Sequence, residues 1–231
     1  DRVNALRNET TRAKLIAEGI EAGDMKNLAH MLHPFGIDSK PNLDFARQQS
    51  LLQLAEAEGK DPVEVYVERL LASEGREFFN FWMFGGNLDN QWKYMQLPHV
   101  VPMLGDAGAH VGFFTDTDSP TVLLSELTRE QGVYSLPEAV HRITGKSAAI
   151  IGLKERGELR EGWHADINVI DYENLSTCHP EYVNDFPHGG GRFVVKGKGY
   201  DATIVGGKVI IKNGKHTGHR PGRVIREFVR G

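Results

Sequence analysis

The sequence is poor in cysteine and in long apolar segments. Cys178 is the single cysteine among 231 residues, which excludes an internal disulfide and a zinc site built from cysteines. Its apolar runs are all shorter than the roughly 20 residues that span a bilayer, and residues 1–7 lack the apolar core of a signal peptide. We therefore expect a cytoplasmic protein that has no membrane partner.

An excess of positive charge is also missing. The sequence contains 27 Lys and Arg residues and 31 Asp and Glu residues, which gives a formal net charge of −4. Nucleic-acid-binding domains usually carry a basic patch and have a high isoelectric point. We therefore expect no nucleic acid partner.

Familiar metal-ligand and nucleophile motifs are absent from these residues. The sequence has no His-x-His pair, no His-Glu-x-x-His motif and no Gly-x-Ser-x-Gly elbow. The residues that do suggest chemistry lie in a glycine-punctuated loop, where Asp106 and His110 follow an apolar run at residues 99–104. This run predicts a short buried strand, and α/β barrels place catalytic groups where core strands end.

Spacing alone leaves more than one role open for these two residues. As a metal ligand and general base, Asp106 would activate a water for attack on a carbonyl. As a loop residue between glycines, it would cap a turn instead. His110 lies four residues on, where it could bind metal, hold substrate or satisfy a local backbone carbonyl.

Helices and strands alternate in the first two thirds of the sequence, which indicates an α/β fold. The strongest helix start is at Asp61, with Pro62 in the first helical position and Glu64 in the first turn. Residues 24–42 are predicted to be irregular. Apolar patterns predict helices at 11–22, 43–57, 61–73, 89–95, 119–131 and 136–151, and strands at 77–84 and 99–104.

The pattern changes after Gly152. Residues 165–171 alternate apolar and polar side chains, Gly206-Gly207 predicts a hairpin, and Asn213-Gly214 predicts a second tight turn. We therefore predict two domains, residues 1–152 with alternating helices and strands and residues 153–231 with mostly β structure. Two strands are too few for the first of these to close into a barrel by itself.

Several segments resemble one enzyme family, in the same order along the chain. Residues 105–112, Gly-Asp-Ala-Gly-Ala-His-Val-Gly, resemble the strand-8 segment of the D-aminoacylase (N-acyl-D-amino-acid deacylase) branch of the metal-dependent amidohydrolases. The segments that continue the resemblance are 135–145, 152–162, 165–171, 199–207 and 221–226. Residues 1–76 resemble the family only in helical style and placement.

This resemblance implies a zinc-dependent (β/α)8 TIM-barrel hydrolase with an accessory β-sandwich domain. Residues 1–152 would form the last helices and strands of the barrel, and residues 153–231 the C-terminal part of the sandwich. Asp106 would be the strand-8 aspartate that binds metal and acts as the general base, and His110 and Asn80 would lie on the substrate side. The substrate would be a small N-acyl amino acid, with the D configuration as the first candidate.

The other metal ligands of that family are not found in this sequence. We therefore expect one or two zinc ions whose remaining ligands come from an N-terminal remainder of the barrel, in the same or in a separate polypeptide. This chain alone would then be inactive. The alternative is a non-catalytic assembly or regulatory subunit that retains the amidohydrolase scaffold, because unpaired strands at residues 78–84 and 100–104 would leave open edges and apolar surface.

Overall fold

The computed structural model of the chain describes residues 2–226 and 228, except 38–41, 44–46, 83–87, 103–104, 106–107 and 113–116. The chain divides into two compact units, residues 1–91 and 92–231. Helices and strands occur in both, as expected for a mixed α/β chain. The domain boundary predicted at residue 152 lies within the second unit and stays a prediction.

Side-chain caps mark where helices of the first unit begin. Its helices are α1 (Arg2–Arg7), α2 (Glu9–Ala22), α3 (Asp24–Leu28), α4 (Leu51–Glu58) and α5 (Pro62–Ala72), and its strands are β1 (Leu32–Gly36) and β2 (Phe78–Phe81). The Asp61 side chain accepts a hydrogen bond from Val63 N, and Glu64 completes a capping box, which confirms the predicted start of α5. Ser50 caps α4 in the same way, so this helix begins at residue 51, later than the predicted position 43.

Strand β1 lies where the sequence pattern indicated irregular structure. It pairs antiparallel with β2, and His33 lies opposite Asn80 in the register. Trp82 N extends the pairing by donating a hydrogen bond to Met31 O at 2.9 Å. The local pattern missed β1 because the strand contains Pro34, which strands rarely tolerate, and because its pairing partner lies far along the chain.

The core of the first unit forms around α4. The buried residues at its centre are Ala29, Leu51, Ala55 and Val65. Leu32 of β1 and Phe79 of β2 pack against this cluster, and full burial of a side chain such as Leu51 contributes about 1.5–3 kcal/mol. The strand pair is therefore held in place by the apolar faces of the helices.

Helices also form the first part of the second unit. Helix α6 (Leu88–Gln96) includes the division at residues 91 and 92, and it is followed by α7 (Ser119–Val122), a π-helical segment (Leu123–Glu130), α8 (Leu136–Ile143) and α9 (Gly145–Ile151). The helices predicted at 119–131 and 136–151 are confirmed in extent, the first largely as a π-helix and the second divided at Thr144. Within the described part of the chain, no helix is long and apolar enough to cross a membrane.

The strand predicted at residues 99–104 is not formed in its described part. Residues 99–102 are not in a strand, and Met103 and Leu104 lie outside the described residues. Val100 N donates a hydrogen bond to Leu97 O at 3.1 Å, and Val100 O accepts one from the Arg142 guanidinium at 2.7 Å. Because these backbone groups are engaged by a turn and by a side chain, Val100 takes no part in a strand ladder.

The second unit ends in small sheets. Its strands are β3 (Ile167–Ile170), β4 (Ser176–Thr177), β5 (Glu181–Val183), β6 (Arg192–Val194), β7 (Gly197–Lys198), β8 (Tyr200–Val205), β9 (Lys208–Lys212) and β10 (Lys215–His216). Four of them form a sheet with the order β10-β9-β8-β3, while β4 pairs with β7 and β5 pairs with β6. The turns predicted at Gly206-Gly207 and Asn213-Gly214 are confirmed, since they join β8 to β9 and β9 to β10.

Pairing is antiparallel throughout the described strands. A closed (β/α)8 barrel is built from parallel strands, and a sandwich is built from two sheets packed face to face. The barrel and the β-sandwich therefore stay predictions, whereas the coarser expectation of mixed helices and strands is confirmed.

Candidate active site

The loop that contains the predicted catalytic residue is described in part. Asp106 and Ala107 lie outside the described residues, whereas Gly105 and residues 108–112 are described. Gly108 and His110 have positive φ angles of 87° and 47°, which glycine adopts freely and histidine more readily than β-branched residues do. Residues 108–110 are exposed. The chain therefore turns at residues 108–110, and His110 lies at the surface.

Two sets of hydrogen bonds involve this loop and the chain before it. Within the loop, Val111 O accepts a hydrogen bond from Phe193 N at 2.8 Å, which ties the loop to β6. Before the loop, the Arg142 guanidinium of α8 binds the backbone of residues 95–100. Helix α8 thus binds residues 95–100, and β6 binds the described end of the loop at Val111.

Arg142 is nearly buried, with 4% of its side chain exposed. Its Nε donates a hydrogen bond to Glu138 Oε1 at 2.6 Å, and the guanidinium lies 5.0 Å from the centre of the Tyr134 ring, within cation–π range. Its terminal nitrogens donate to four backbone carbonyl oxygens, those of Met95 (2.7 Å), Gln96 (3.0 Å), Leu97 (3.2 Å) and Val100 (2.7 Å). The sequence pattern does not indicate this burial of Arg142, because a helical arginine four residues after a glutamate usually belongs to a solvated ion pair.

Asn80 lies half-buried on β2, within a β1–β2 polar cluster that consists of His33, Gln48, Asn80 and Trp82. Asn80 Nδ2 donates a hydrogen bond to Gln48 Oε1 at 3.2 Å. Gln48 Nε2 in turn donates to Pro34 O at 2.9 Å and to Asn42 O at 2.8 Å. The amide of Asn80 therefore takes part in ordering the chain around β1.

His33 is the buried member of the β1–β2 polar cluster. Its ring stacks on the Trp82 ring at a centroid distance of 3.8 Å, and Nδ1 lies 3.3 Å from Met31 O. Burial lowers the pKa of His33; the hydrogen bond with the Met31 carbonyl opposes this shift, and the electrostatic interaction with His30 reinforces it. The imidazole is therefore neutral near neutral pH and can form hydrogen bonds without carrying charge. The burial of His33 could not be inferred from the sequence, because the residues next to it along the chain give no indication of it.

The predicted site residues fall in different units. Asn80 belongs to the first unit, and Asp106 and His110 belong to the second. Among the residues that the structure describes, no group of three or more His, Cys, Asp or Glu side chains could hold a metal ion. The roles of Asp106, His110 and Asn80 therefore stay predictions.

Comparison with known proteins gives a family match over most of the chain. The model of the amidohydrolase family matches residues 2–211. An N-acyl-D-aspartate deacylase from Alcaligenes xylosoxydans xylosoxydans is 38% identical over 106 residues, which is 46% of this chain and 19% of that protein. A D-aminoacylase from the same organism is 33% identical over 78 residues, 28% of this chain and 16% of that protein.

Two further matches are a relative named for another activity and a solved structure of lower sequence identity. A dihydroorotase from Endomicrobium trichonymphae is 36% identical over 94 residues, 39% of this chain and 21% of that protein. A solved D-aminoacylase, from work on its binuclear metal center, is 22% identical with a TM-score of 0.44 and covers 83% of this chain and 37% of that one. The chain spans about one fifth of the length of the curated relatives that it matches.

Proposed function

Because this chain belongs to the amidohydrolase family, we propose that the whole protein is a metal-dependent hydrolase that cleaves the amide bond of N-acyl amino acids. The observation that carries this proposal is the family match over residues 2–211, which includes the Gly-Asp-Ala-Gly-Ala-His-Val-Gly segment at 105–112. The similarity to an N-acyl-D-aspartate deacylase favours substrates of D configuration. The dihydroorotase similarity makes the opening of a cyclic amide the second substrate class to test.

The proposal includes a fold for the whole protein. Residues 1–152 would supply the last helices and strands of a (β/α)8 barrel, and residues 153–231 part of an accessory β-sandwich. The remainder of the barrel would come from the same or a separate polypeptide, in keeping with the fraction of each curated relative that this chain covers. The helices that precede the antiparallel hairpins of the second unit support this order of parts.

Asp106 is the residue to which we assign the proton transfers. Its carboxylate would be one ligand of a divalent metal, with zinc as the proposed ion and the other ligands outside this chain. When bound, such a metal polarises the substrate carbonyl and makes water a stronger nucleophile. The Asp106 carboxylate would accept a proton from the attacking water and then deliver it to the leaving amine nitrogen.

His110 and Asn80 are proposed as substrate-side residues. His110 is exposed on the loop that follows Asp106, where its imidazole could donate a hydrogen bond to a substrate carboxylate. The Asn80 amide donates one hydrogen bond to Gln48, and its carbonyl oxygen could accept one from a substrate amide.

The test of Asp106 uses the whole protein loaded with zinc and the substitution Asp106→Asn. N-acetyl-D-aspartate, N-acetyl-D-leucine and their L enantiomers are the probes, and release of the free amino acid is the readout. We expect a loss of about 10²–10⁴-fold in kcat, the range of general acid–base catalysis. Asp201→Asn is the matched control, because Asp201 is an exposed aspartate of β8 in the same unit.

Two outcomes would contradict the proposal in different ways. Near-normal turnover by Asp106→Asn would remove Asp106 from the mechanism and leave the activity itself intact. A parent protein that contains no metal by mass spectrometry and hydrolyses neither these probes nor a cyclic amide would instead favour the non-catalytic assembly or regulatory subunit.

A further inference from the structure

We infer that Gln48 is a positioning residue for Asn80, which fixes the Asn80 side-chain amide so that its oxygen, Oδ1, is the atom offered to a substrate N–H group. The inference rests on the proposed substrate-side role of Asn80. It adds a criterion for the substrate, because a secondary amide carries this N–H group and an ester does not. Gln48 acts through Asn80 and does not itself touch the substrate.

Asn80 lies on the face of the β1–β2 pair that points away from the helical core. Its neighbour Phe79 packs against that core, and successive side chains of a strand point to opposite faces. His33 lies directly opposite Asn80 in the register, and its ring stacks on the ring of Trp82, two residues beyond Asn80. The half-buried Asn80 side chain therefore lies outside the packed core of the first unit.

The hydrogen bonds of Gln48 determine which end of its amide faces Asn80. Gln48 Nε2 donates to Pro34 O at 2.9 Å and to Asn42 O at 2.8 Å. Both partners are backbone carbonyls, which accept hydrogen bonds and cannot donate them. A flipped amide would turn Gln48 Oε1 toward two carbonyl oxygens and would lose both hydrogen bonds. Gln48 Oε1 therefore faces Asn80, as an acceptor.

The Asn80 amide is oriented in turn by Gln48. Because Gln48 Oε1 accepts, Asn80 presents its donor Nδ2, at a distance of 3.2 Å. Oδ1 is at the other side of the planar amide and is directed away from Gln48. Among the residues that the structure describes, Gln48 is the hydrogen-bond partner of the Asn80 side chain, so Oδ1 keeps its capacity to accept. Without Gln48 the Asn80 amide could present either end, since its terminal torsion is broad and roughly two-fold.

The experiment compares an amide with the matching ester in the whole, zinc-loaded protein. N-acetyl-D-aspartate and O-acetyl-D-malate have the same acetyl group and the same carboxylates, and they differ in the N–H group that the ester lacks. We expect Gln48→Met to lower kcat/KM for the amide by about 3–10-fold, the net effect of one hydrogen bond, and to change kcat/KM for the ester by less than about twofold. A merely structural role would lower both values by the same factor.

Two further variants test whether Gln48 acts through Asn80. Asn80→Ala should reproduce the loss that is specific to the amide, and adding Gln48→Met to it should lower the amide rate no further, because residues that act as a unit are not additive. Gln49→Met is the matched control, since Gln49 is the exposed glutamine next in the chain, and it should leave both rates unchanged. Urea unfolding shows whether each variant is folded.

Nuclear magnetic resonance of the whole protein, isotopically labelled at asparagine and glutamine, gives a readout that does not require turnover. The Asn80 Nδ2 signals are assigned by their loss in Asn80→Ala. In Gln48→Met these signals should shift and exchange with water faster than in the parent, because their acceptor is removed. In Gln49→Met they should match the parent.

The outcomes separate this inference from the proposed function. Equal losses for amide and ester in Gln48→Met, a parental amide rate, additivity in the double variant or unchanged Asn80 Nδ2 signals would each overturn the positioning role. Failure of the proposed function has a different signature, in which the parent hydrolyses neither probe or Asp106→Asn retains turnover. In that case the Asn80 Nδ2 signals still decide whether Gln48 orients Asn80.

Discussion

Replacing Gly199 with alanine should severely destabilise the second unit. Gly199 lies between β7 and β8 with a φ of 85°, and it begins segment 199–207, which carries part of the family resemblance. A Cβ at this position would lie 2.7 Å from Leu175 Cα and 2.9 Å from both Leu175 N and Asp171 O. These are backbone atoms, so rotation of a side chain cannot relieve the overlap.

The expected magnitude combines two costs. The left-handed conformation costs alanine about 1–2 kcal/mol, and overpacking costs about 1–3 kcal/mol more. We therefore expect Gly199→Ala to lower the free energy of unfolding by about 2–5 kcal/mol. Gly214→Ala is the control, because Gly214 has a φ of 73° and an added Cβ would meet nothing within 4 Å. It should lose only the conformational part, about 1–2 kcal/mol.

Urea unfolding of the whole protein, followed by circular dichroism and tryptophan fluorescence, measures both losses. The difference between the two variants isolates the steric overlap, since both glycines have left-handed backbone. Equal losses at Gly199 and Gly214 would refute the argument from close approach. A loss below about 1 kcal/mol at Gly199 would refute the argument from conformation as well.

Two further predictions concern buried polar side chains. Burial lowers the pKa of His33 below its ordinary value of 6.5, so the contribution of the neutral imidazole to stability is complete above pH 6.5 and is lost as the pH falls through the folded-state pKa. The urea midpoint of His33→Gln should therefore fall less on acidification than the midpoint of the parent. The exposed control His219→Gln should follow the parent. The Tyr134 hydroxyl is buried without a hydrogen-bond partner among the described residues, so Tyr134→Phe should keep or raise the melting temperature by calorimetry, and a clear drop would contradict this.

Helix starts and turns that are determined by neighbouring residues could be predicted from the sequence. The Asp61 cap, with Pro62 and Glu64 beside it, predicted the start of α5, and the structure places the helix there. Gly206-Gly207 and Asn213-Gly214 predicted two turns that the four-stranded sheet contains. In each case the hydrogen bonds or dihedral angles involve residues a few positions apart, so the local pattern contains the necessary information.

Structure that depends on contacts between residues remote in the sequence was predicted wrongly or missed. Strand β1 was missed because its partner β2 is remote in sequence. In the described part of the strand expected at residues 99–104, Val100 closes a turn and its carbonyl binds Arg142. An apolar run is compatible with either conformation, and only the side chain that binds its carbonyl groups decides between them.

Family membership, the mixed α/β class and Asp106 as the candidate general base follow from the amino-acid sequence alone, because characteristic segments keep their order along the chain. The tertiary structure determines which polar groups contact each other. It buries His33 against Trp82, pairs Asn80 with Gln48 and places Arg142 on the backbone that leads to the Asp106 loop. These contacts join residues that are separated along the chain, so their burial and hydrogen bonding depend on the packed structure and not on neighbouring residue types.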